Sequence, residues 1–268
     1  MEDANTRIDT TVAHPARRYN YWLGGKDNFA ADRESGDAIA GALPAIRTSA
    51  IENRRFLRRA VIHLSRKLGI SQFLDIGTGI PSAGNTYEVA RAITPDARVV
   101  YVDNDPLVLE YSQELVRGSA GAVAYLEADL RDPQRILNDA TLRATLDPGR
   151  PVGLMLLAVL HFVGDAEHPY RIVKDLVSAL PAGSCLVISH ATADFMSPET
   201  AAAVDEAGTR SGVPSRLRSR AEVARFFEGM SLLPPGVVPT TQWRAAAEPQ
   251  PRPTPAEAAM YAAAALVR

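Results

Sequence analysis

Three acidic residues, Asp75, Asp103 and Asp129, lie at or near the ends of three successive apolar segments of this chain. A glycine turn directly follows the first segment. The first segment ends in LDIGTG (74–79), where glycines let the backbone approach a ligand closely. Asp103 ends the second segment, 24 residues after Gly79, a spacing that suits a carboxylate accepting hydrogen bonds from both ribose hydroxyls. Asp129 follows the third segment, where a carboxylate can accept from an exocyclic adenine amine. Together these residues predict a nucleoside-binding site.

The glycine turn also indicates which nucleoside is bound. Dinucleotide-binding folds usually carry G-x-G-x-x-G, whereas here Ser82 stands at the third glycine position. Asp75 precedes Gly77 by two residues, close to where a positively charged part of the ligand would lie. An acid before the glycines and another after the third segment suit a ligand with an amino-acid end and an adenosine end. S-adenosylmethionine has both ends and no pyrophosphate.

The elements that must position these residues alternate along the chain. Apolar runs followed by turn signals predict buried strands, and amphipathic segments between them predict helices. Such strands separated by helices are typical of a parallel α/β sheet covered on both faces. A further helix and strand follow near the C-terminus, and the last segment, 258–268, is ambiguous by composition. The predicted strands are 73–77, 98–103, 122–128, 152–160, 184–190 and 231–233, and the predicted helices are 47–68, 83–93, 105–117, 133–145, 167–180 and 219–228.

Two regions lie outside this alternating body. Residues 1–70 are predicted to form an N-terminal helical lobe ahead of a Rossmann-like domain over 71–268. The polar segment 191–218 follows the fifth strand, where α/β enzymes commonly carry a loop, and we interpret it as a cap insertion.

Composition excludes several classes of protein. The formal net charge is −2, with 29 basic and 31 acidic residues, so no general attraction to nucleic acid or to an anionic membrane is expected. The N-terminus shows no secretory signal, and the longest nearly apolar run, 151–163, is shorter than the roughly 20 residues that span a bilayer. The single cysteine, Cys185, excludes an internal disulfide framework. These features predict a soluble, cytoplasmic protein.

Several sequence blocks resemble those of a known superfamily. FLDIGTG, VVYVDNDP, EADLRDP, AVLHFV and LVISHATAD are similar to the corresponding blocks of class I S-adenosylmethionine-dependent methyltransferases. YWLGGKDNFAADR and IPSAGNTYEVA add a resemblance to one bacterial S-adenosyl methyltransferase family, long catalogued as a domain of unknown function. The resemblance extends from about residue 16 to the C-terminus. It implies a seven-stranded sheet whose last strand, within 258–268, is antiparallel, and cofactor contacts at Asp75, Gly77, Gly79, Asp103 and Asp129.

The predicted cofactor site has further members. A dense mixture of aromatic and polar residues surrounds Gly24-Gly25, and we interpret residues 17–32 as a lid over the cofactor. The alternative is a helical lobe packed on the sheet far from the ligand. Besides the five positions that the resemblance implies, the predicted cofactor contacts are Thr78, Asn104, Leu130, Tyr21, Gly25 and Asn28.

Two histidines end neighbouring strands of the predicted sheet. His161 and His190 should lie on the same rim as the cofactor's methyl group, and we predict that His161 accepts or orients the acceptor's proton. The alternative is that both bond to loop backbone. His161, His190 and Asp194 lack the tight spacing of a metal motif, so no metal is predicted. Two basic runs, 54–59 and 216–220, are interpreted as solvated.

These features together predict a methyltransferase that uses S-adenosylmethionine and acts on a small-molecule acceptor. One alternative is a regulatory protein that binds S-adenosylmethionine and transfers nothing. A nicotinamide-dependent oxidoreductase is opposed by Ser82, and an aminopropyl transferase would need an acid where the fourth strand ends in Leu160-His161. The acceptor, its accepting atom and the oligomeric state stay open, with a homodimer as one option.

Overall fold

A computed structural model of the protein describes residues 8–268, apart from the side chains at positions 114 and 115. Residues 1–7 of the predicted N-terminal lobe therefore lie outside the described residues. One mixed sheet forms the centre of the fold, in the strand order β3-β2-β1-β4-β5-β8-β6, with β7 also paired to β8. The strands are β1 (Gln72–Ile76), β2 (Arg98–Asp103), β3 (Val123–Glu127), β4 (Val152–Leu157), β5 (Cys185–Ala191), β6 (Ser231–Leu232), β7 (Val238–Pro239) and β8 (Met260–Leu266).

The pairing confirms the predicted Rossmann-like α/β sheet. Strands β1 to β5 pair in parallel, and β8 lies antiparallel against β5. The sheet has eight strands rather than the implied seven, because the two-residue β7 also pairs with β8. Strand β4 ends before the predicted residue 160, since Ala158 has a φ of 53° and leaves the extended conformation.

Helices cover both faces of the sheet. The predicted helix over 133–145 is divided in two at Asp139, whose side chain accepts a hydrogen bond from Thr141 N and so begins a second helix. No helix among residues 8–268 is long and apolar enough to cross a membrane. The α-helices are α1 (Pro15–Trp22), α2 (Ala30–Ala42), α3 (Ile46–Leu68), α4 (Thr86–Arg91), α5 (Pro106–Arg117), α6 (Pro133–Asn138), α7 (Ala140–Thr145), α8 (Pro169–Ser178), α9 (Pro198–Arg210), α10 (Arg220–Arg225) and α11 (Pro255–Ala258).

Successive side chains of a strand point to opposite faces of the sheet. Because these strands are apolar at successive positions, both faces of the sheet are apolar. Phe73 packs on one side in the same buried cluster as Phe56 and Leu64 of α3. Leu74 points to the other side and shares a cluster with Ile172 of α8. Burial on both sides fixes the strand register, so the polar residues at the strand ends have defined positions.

The N-terminal lobe is fastened to the sheet by buried ionic contacts. Asp32 accepts hydrogen bonds from the backbone N–H groups of His14 and Phe29, both at 2.8 Å, and so joins α1 to α2. Arg17 Nε donates to Asp105 Oδ2 at 2.8 Å, and both side chains are buried. Asp105 lies just after β2, so this ion pair connects α1 to the edge of the sheet that carries Asp103.

Segment 191–218 packs against the lobe. Its helix α9 contributes Val204 and Ala207 to an apolar cluster that also contains Trp22 and Ile39. Ser35 Oγ on α2 donates to Ser211 Oγ at 2.9 Å, just beyond the end of α9. Residues of this segment and of the lobe therefore line one and the same cavity.

Candidate active site

A cavity of about 410 Å³ opens at the carboxyl ends of the parallel strands. Its size lies within the roughly 300–1,000 Å³ that small-molecule sites occupy. One part of the wall comes from the loops after β1, β2 and β3 and is acidic. The other part comes from α1, α2, α9 and β8 and is largely apolar. A ligand with a polar adenosine end, next to a second and more apolar molecule, fits this division.

The glycine turn after β1 forms the floor of the acidic part. Gly77 has a φ of 74° and Gly79 a φ of 68°, which is left-handed backbone that favours glycine. A Cβ on Gly77 would lie 2.4 Å from Val159 Cγ2, so only glycine fits beneath the loop that follows β4. A Cβ on Gly79 would meet nothing within 4 Å, which leaves open space above that backbone. Thr78, between them, also lines the cavity.

Asp103 connects this turn to the end of β2. Its Oδ2 accepts from Gly79 N at 2.8 Å and its Oδ1 accepts from Asp105 N at 3.1 Å. Burial raises the pKa of Asp103, and these N–H groups oppose the rise. Each carboxylate oxygen has two lone pairs, so the side chain can still accept hydrogen bonds from a diol in the cavity.

Asp75 is the second buried acid of the cavity wall. It accepts a hydrogen bond from Thr86 Oγ1 at 2.6 Å. Burial raises its pKa to about 6, while the Thr86 hydroxyl and the positive charge of Arg54 act in the opposite direction. Arg54 itself lines the cavity. An acid and a guanidinium on the wall of one cavity can bind the ammonium and carboxylate groups of an amino acid.

The loops after β2 and β3 meet at the far end of the acidic part. Asn104 Nδ2 donates to Asp129 Oδ2 at 2.9 Å. Arg131 Nη1 lies 3.3 Å from Asp129 Oδ1. Leu130, between these two charged residues, is buried, and all four line the cavity. An apolar surface beside hydrogen-bonding groups can hold a planar base.

Three predicted cofactor contacts lie away from this cavity. Tyr21 OH donates to Asp37 Oδ1 at 2.8 Å, which directs the ring toward α2. Asn28 Nδ2 donates to Asn20 Oδ1 at 2.9 Å, and a Cβ on Gly25 would lie 2.3 Å from the Asn20 amide nitrogen. These contacts stabilise the turn between α1 and α2. We therefore assign Tyr21, Gly25 and Asn28 to the structure of the lobe and remove them from the candidate cofactor contacts.

His161 lines the cavity three residues after Ala158. It is 9% exposed, and within residues 8–268 its buried Nδ1 has no hydrogen-bond partner. Burial, followed by the nearby His190 and Arg18, lowers its pKa well below the ordinary range. The imidazole is therefore neutral near pH 7, and one of its ring nitrogens has a free lone pair.

His190 does not line the cavity and makes structural contacts instead. Its Nδ1 lies 2.7 Å from Ala191 O, and its Nε2 lies 3.0 Å from Arg218 Nη1. With Nδ1 as donor, Nε2 accepts from the guanidinium, and burial lowers the His190 pKa to about 3. No group of three or more histidine, cysteine, aspartate or glutamate side chains in the described part of the chain is arranged to hold a metal ion.

The sequence suggested that both basic runs, 54–59 and 216–220, are solvated, but the structure buries one arginine in each run. Arg218 is 0% exposed and donates to Leu160 O and Val163 O, which holds the loop that carries His161. Arg59 is also buried and donates to the backbone oxygens of Thr240 and Trp243. The interpretation as solvated residues is wrong for these two arginines, because distant loops fold over them.

A chain of hydrogen bonds behind the cavity has no counterpart in the sequence prediction. Tyr19 OH donates to Ala50 O at 2.9 Å and accepts from Asn53 Nδ2 at 3.0 Å. Ser189 Oγ donates to Asn53 Oδ1 at 2.6 Å, and Ala158 N donates to Ser189 Oγ at 3.0 Å. Tyr19 and Asn53 line the cavity, as does Arg18. Tyr19, Asn53 and Arg18 do not follow a strand of the sheet, and position after a strand is the feature that marks the other cavity residues in the sequence.

Comparisons with known proteins agree on one family. A family model described as S-adenosyl methyltransferase matches residues 1–268. The chain is 44% identical to a DUF574 family protein from Streptomyces avermitilis MA-4680 over 98% of this chain and 100% of that one, with a TM-score of 0.94. It is 37% identical to a predicted methyltransferase from Thermobifida fusca YX over 97% of both chains, with a TM-score of 0.90. Human N-acetylserotonin methyltransferase, solved with S-adenosylmethionine, shares the fold at 13% identity and a TM-score of 0.51, over 98% of this chain and 65% of that one. No curated protein matches the sequence.

Proposed function

The chain belongs to the S-adenosyl methyltransferase family and uses S-adenosylmethionine, and from this premise we propose that it methylates a small molecule bound beside His161. The observation that carries the proposal is one cavity that combines the acidic strand ends with a neutral, unpartnered histidine. We also propose a bacterial, cytoplasmic enzyme that acts without nucleic acid. The bacterial origin of both close relatives and the near balance of 29 basic and 31 acidic residues support this setting.

In this proposal the acidic part of the cavity holds the donor. Asp103 accepts from the ribose hydroxyls, while its existing bond to Gly79 N keeps the glycine turn in place. Asp75 and Arg54 bind the ammonium and carboxylate of the methionine end. The adenine lies between the loops after β2 and β3. Asn104 and Asp129 bond to its edge, and Leu130 packs against its face. Each of these roles follows from the charge of the residue and its position on the cavity wall.

S-adenosylmethionine supplies an electrophilic methyl group on a positively charged sulfur. The protein's part is to hold the acceptor in line with that group, since such a displacement depends mainly on proximity and orientation. His161, neutral near pH 7, accepts the proton of an acceptor hydroxyl or amine through a ring nitrogen. Ala158 and Arg218 fix the loop on which His161 lies.

We propose that the N-terminal lobe acts as a lid on this cavity. Helix α1 contributes Pro15, Arg18, Tyr19 and Trp22 to the cavity wall, and these residues recur at the spacing of one helix face. A donor enclosed by α1 would be kept from water, which protects the methyl group and strengthens the electrostatic contacts around it.

Calorimetric titration and a labelled-methyl assay test the proposal together. The wild-type protein should bind S-adenosylhomocysteine, the demethylated product, and should transfer methyl label from S-adenosylmethionine to a low-molecular-weight compound in a bacterial extract, because a cavity of about 410 Å³ has the size of a small-molecule site. The matched control is Asp96→Asn, an exposed acid remote from the cavity. Binding without transfer would instead favour a regulatory protein, and label on macromolecules alone would reject a small acceptor.

A further inference from the structure

A buried cation in the apolar part of the cavity is not used by the proposed transfer. Arg18 is 3% exposed and lines the cavity. Within residues 8–268, its guanidinium makes one hydrogen bond, from Nη1 to Ser35 Oγ at 3.1 Å, and its buried Nε has no partner. A guanidinium has five N–H donors. Asp32, the nearby carboxylate, accepts from the His14 and Phe29 N–H groups instead.

A buried charge without a direct counterion is costly, so its retention needs an explanation. Burial lowers the pKa of Arg18 to about 10, which still leaves the group protonated near pH 7. The aromatic rings of Trp22 and Phe162 lie 5.1 and 5.8 Å from its central carbon, and they stabilise a cation without satisfying its N–H donors. The planar fork suits an oxyanion that enters the cavity.

The donor's own carboxylate is an unsuitable partner for Arg18. Arg54 donates from Nη2 to Ala83 O at 3.3 Å, in the loop after β1, and its charge acts on Asp75 at the proposed methionine end of the cavity. The central carbon of Arg18 instead lies 5.8 Å from the ring of Phe162, the residue after His161, at the proposed acceptor end. The two arginines therefore lie beside different groups of the cavity, and each can serve a different ligand.

The walls around Arg18 define the rest of the occupant. They come from α1, α2, α9, β8 and the loop before α9, and most of their side chains are apolar. A molecule with one anionic group and an otherwise apolar body would match them, because a further polar group placed against these apolar side chains would be buried without a partner. The lining side chains near this end are Trp22, Ile39, Leu43, Met196, Val204 and Met260.

We propose that the methyl acceptor is a small, largely apolar carboxylic acid whose carboxylate binds Arg18 while a separate hydroxyl or amine faces His161. This inference rests on the proposed function. The accepting oxygen or nitrogen forms a bond to the methyl carbon, and the sulfur keeps the electron pair of the bond that breaks. The proton of the accepting atom passes to His161. The carboxylate stays on Arg18 and is not methylated.

Binding of such an acid would also make His161 a better base. The pKa of His161 is lowered first by burial, and then by the positive or polar neighbours His190, Arg18 and Arg218. A carboxylate on Arg18 offsets one of these positive charges. A carboxylate bound to Arg18 would therefore raise the pKa of His161 relative to the empty cavity.

Matched pairs of acids and amides test this inference. The probes are benzoate, 4-hydroxybenzoate, 2-naphthoate and indole-3-carboxylate, each with its primary amide, titrated into full-length protein saturated with S-adenosylhomocysteine. At least one acid should bind more tightly than its amide by on the order of tenfold to a hundredfold, the range expected for hydrogen bonds to a charged group. Arg18→Gln should remove this preference, and Arg18→Lys should restore part of it.

Arg58→Gln is the control, because Arg58 is exposed on α3 and lies outside the cavity lining. It should leave the preference for the acid unchanged, and all the variants should bind S-adenosylhomocysteine like the wild type. If no acid is preferred over its amide, or if Arg18→Gln loses affinity for S-adenosylhomocysteine itself, the assignment of Arg18 to the acceptor is overturned. Failure of the wild type to bind S-adenosylhomocysteine would instead refute the proposed cofactor site.

Discussion

Replacement of Asp75 by asparagine should stabilise the ligand-free protein while weakening its binding of the cofactor. Asp75 is 4% exposed, and Thr86 Oγ1 donates to it at 2.6 Å. Burial raises its pKa to about 6, the Thr86 bond and Arg54 lower it, and Asp103 raises it further. Asparagine has the same shape and can still accept from the Thr86 hydroxyl, but it carries no charge into the buried site.

The pKa gives the size and the sign of the effect. A change from the ordinary 3.8 to about 6 corresponds to about 3 kcal/mol of free energy of unfolding. Between these two values the folded protein holds a proton that the unfolded chain has lost, so the stability of the wild type falls as the pH rises. Above that window the loss is complete. Roughly half of it, about 1–2 kcal/mol, falls between pH 5 and pH 8.

Urea unfolding followed by circular dichroism measures this directly. The free energy of unfolding of Asp75→Asn, minus that of the wild type, should increase by about 1–2 kcal/mol from pH 5 to pH 8. The exposed control Asp96→Asn should differ from the wild type by no more than about 0.5 kcal/mol across this range. At pH 8, calorimetry should show that Asp75→Asn binds S-adenosylhomocysteine on the order of tenfold more weakly than the wild type does. The reason is that the ammonium group of S-adenosylhomocysteine loses a charged partner.

A stability difference that does not change with pH would refute the reasoning, since it would mean that Asp75 has no raised pKa in the folded protein. Unchanged affinity for S-adenosylhomocysteine in a folded variant would separately remove Asp75 from the cofactor contacts. If both results follow the prediction, the protein maintains a destabilising charge at this position for the benefit of ligand binding.

Four further substitution or exchange experiments follow from the site and from the N-terminal lobe beside it. Asp103→Asn should weaken S-adenosylhomocysteine binding by on the order of tenfold to a hundredfold in calorimetry, and unchanged affinity would exclude the ribose contact. His161→Ala should keep that affinity while single-turnover methyl transfer slows by on the order of 10²–10⁴-fold; equal rates would leave His161 without a proton-transfer role. Hydrogen exchange across 17–32 should slow when S-adenosylhomocysteine binds, and identical exchange would reject the lid. Gly25→Ala should lower the free energy of unfolding by about 1–3 kcal/mol, since its Cβ would overlap the Asn20 amide; a neutral effect would show that the turn relaxes freely.

The fold and the acidic part of the cavity follow from the sequence for a simple reason. Parallel strands that are buried on both faces read as continuous apolar runs, and their carboxyl ends share one edge of the sheet. Asp75, Asp103 and Asp129 each lie at or just beyond such an end, so their convergence is predictable without any knowledge of the packing. The missing third glycine of the G-x-G-x-x-G pattern then favours S-adenosylmethionine over a dinucleotide as the ligand.

The N-terminal contacts could not be placed in the same way. The sequence prediction names Tyr21, Gly25 and Asn28, whereas within residues 17–32 the cavity is lined by Arg18, Tyr19 and Trp22, and Tyr21 bonds to Asp37 instead. Which face of α1 meets the sheet depends on the Arg17–Asp105 ion pair, whose partners are 88 residues apart. A sequence pattern that repeats every few residues carries no information about a contact between residues so far apart in the chain.

The buried arginines show the same limit. A cluster of arginines on a predicted helix is usually solvated, and sequence alone gives no reason to exclude Arg59 or Arg218 from that rule. Arg59 is buried because residues 240–248 fold over it, and Arg218 because it satisfies backbone oxygens at 160 and 163. Burial of these side chains is a property of the tertiary packing and not of their local sequence.

The hydrogen bonds behind the cavity link the lobe to the backbone that carries His161. Ala158 has a φ of 53°, a left-handed conformation that costs an alanine roughly 1–2 kcal/mol. Its N–H is held by Ser189, whose hydroxyl donates to Asn53 of α3, and Asn53 in turn donates to Tyr19 of α1. Movement of α1 away from the cavity would therefore remove one support of this strained residue. Because His161 follows three residues later, closure of the lobe and alignment of the histidine would be one event. Hydrogen exchange at 158–163 should then slow together with exchange at 17–32 when S-adenosylhomocysteine binds. Slowing at 17–32 alone would show that the lobe closes without ordering the loop of His161, and slowing at 158–163 alone would show that this loop is ordered without the lobe.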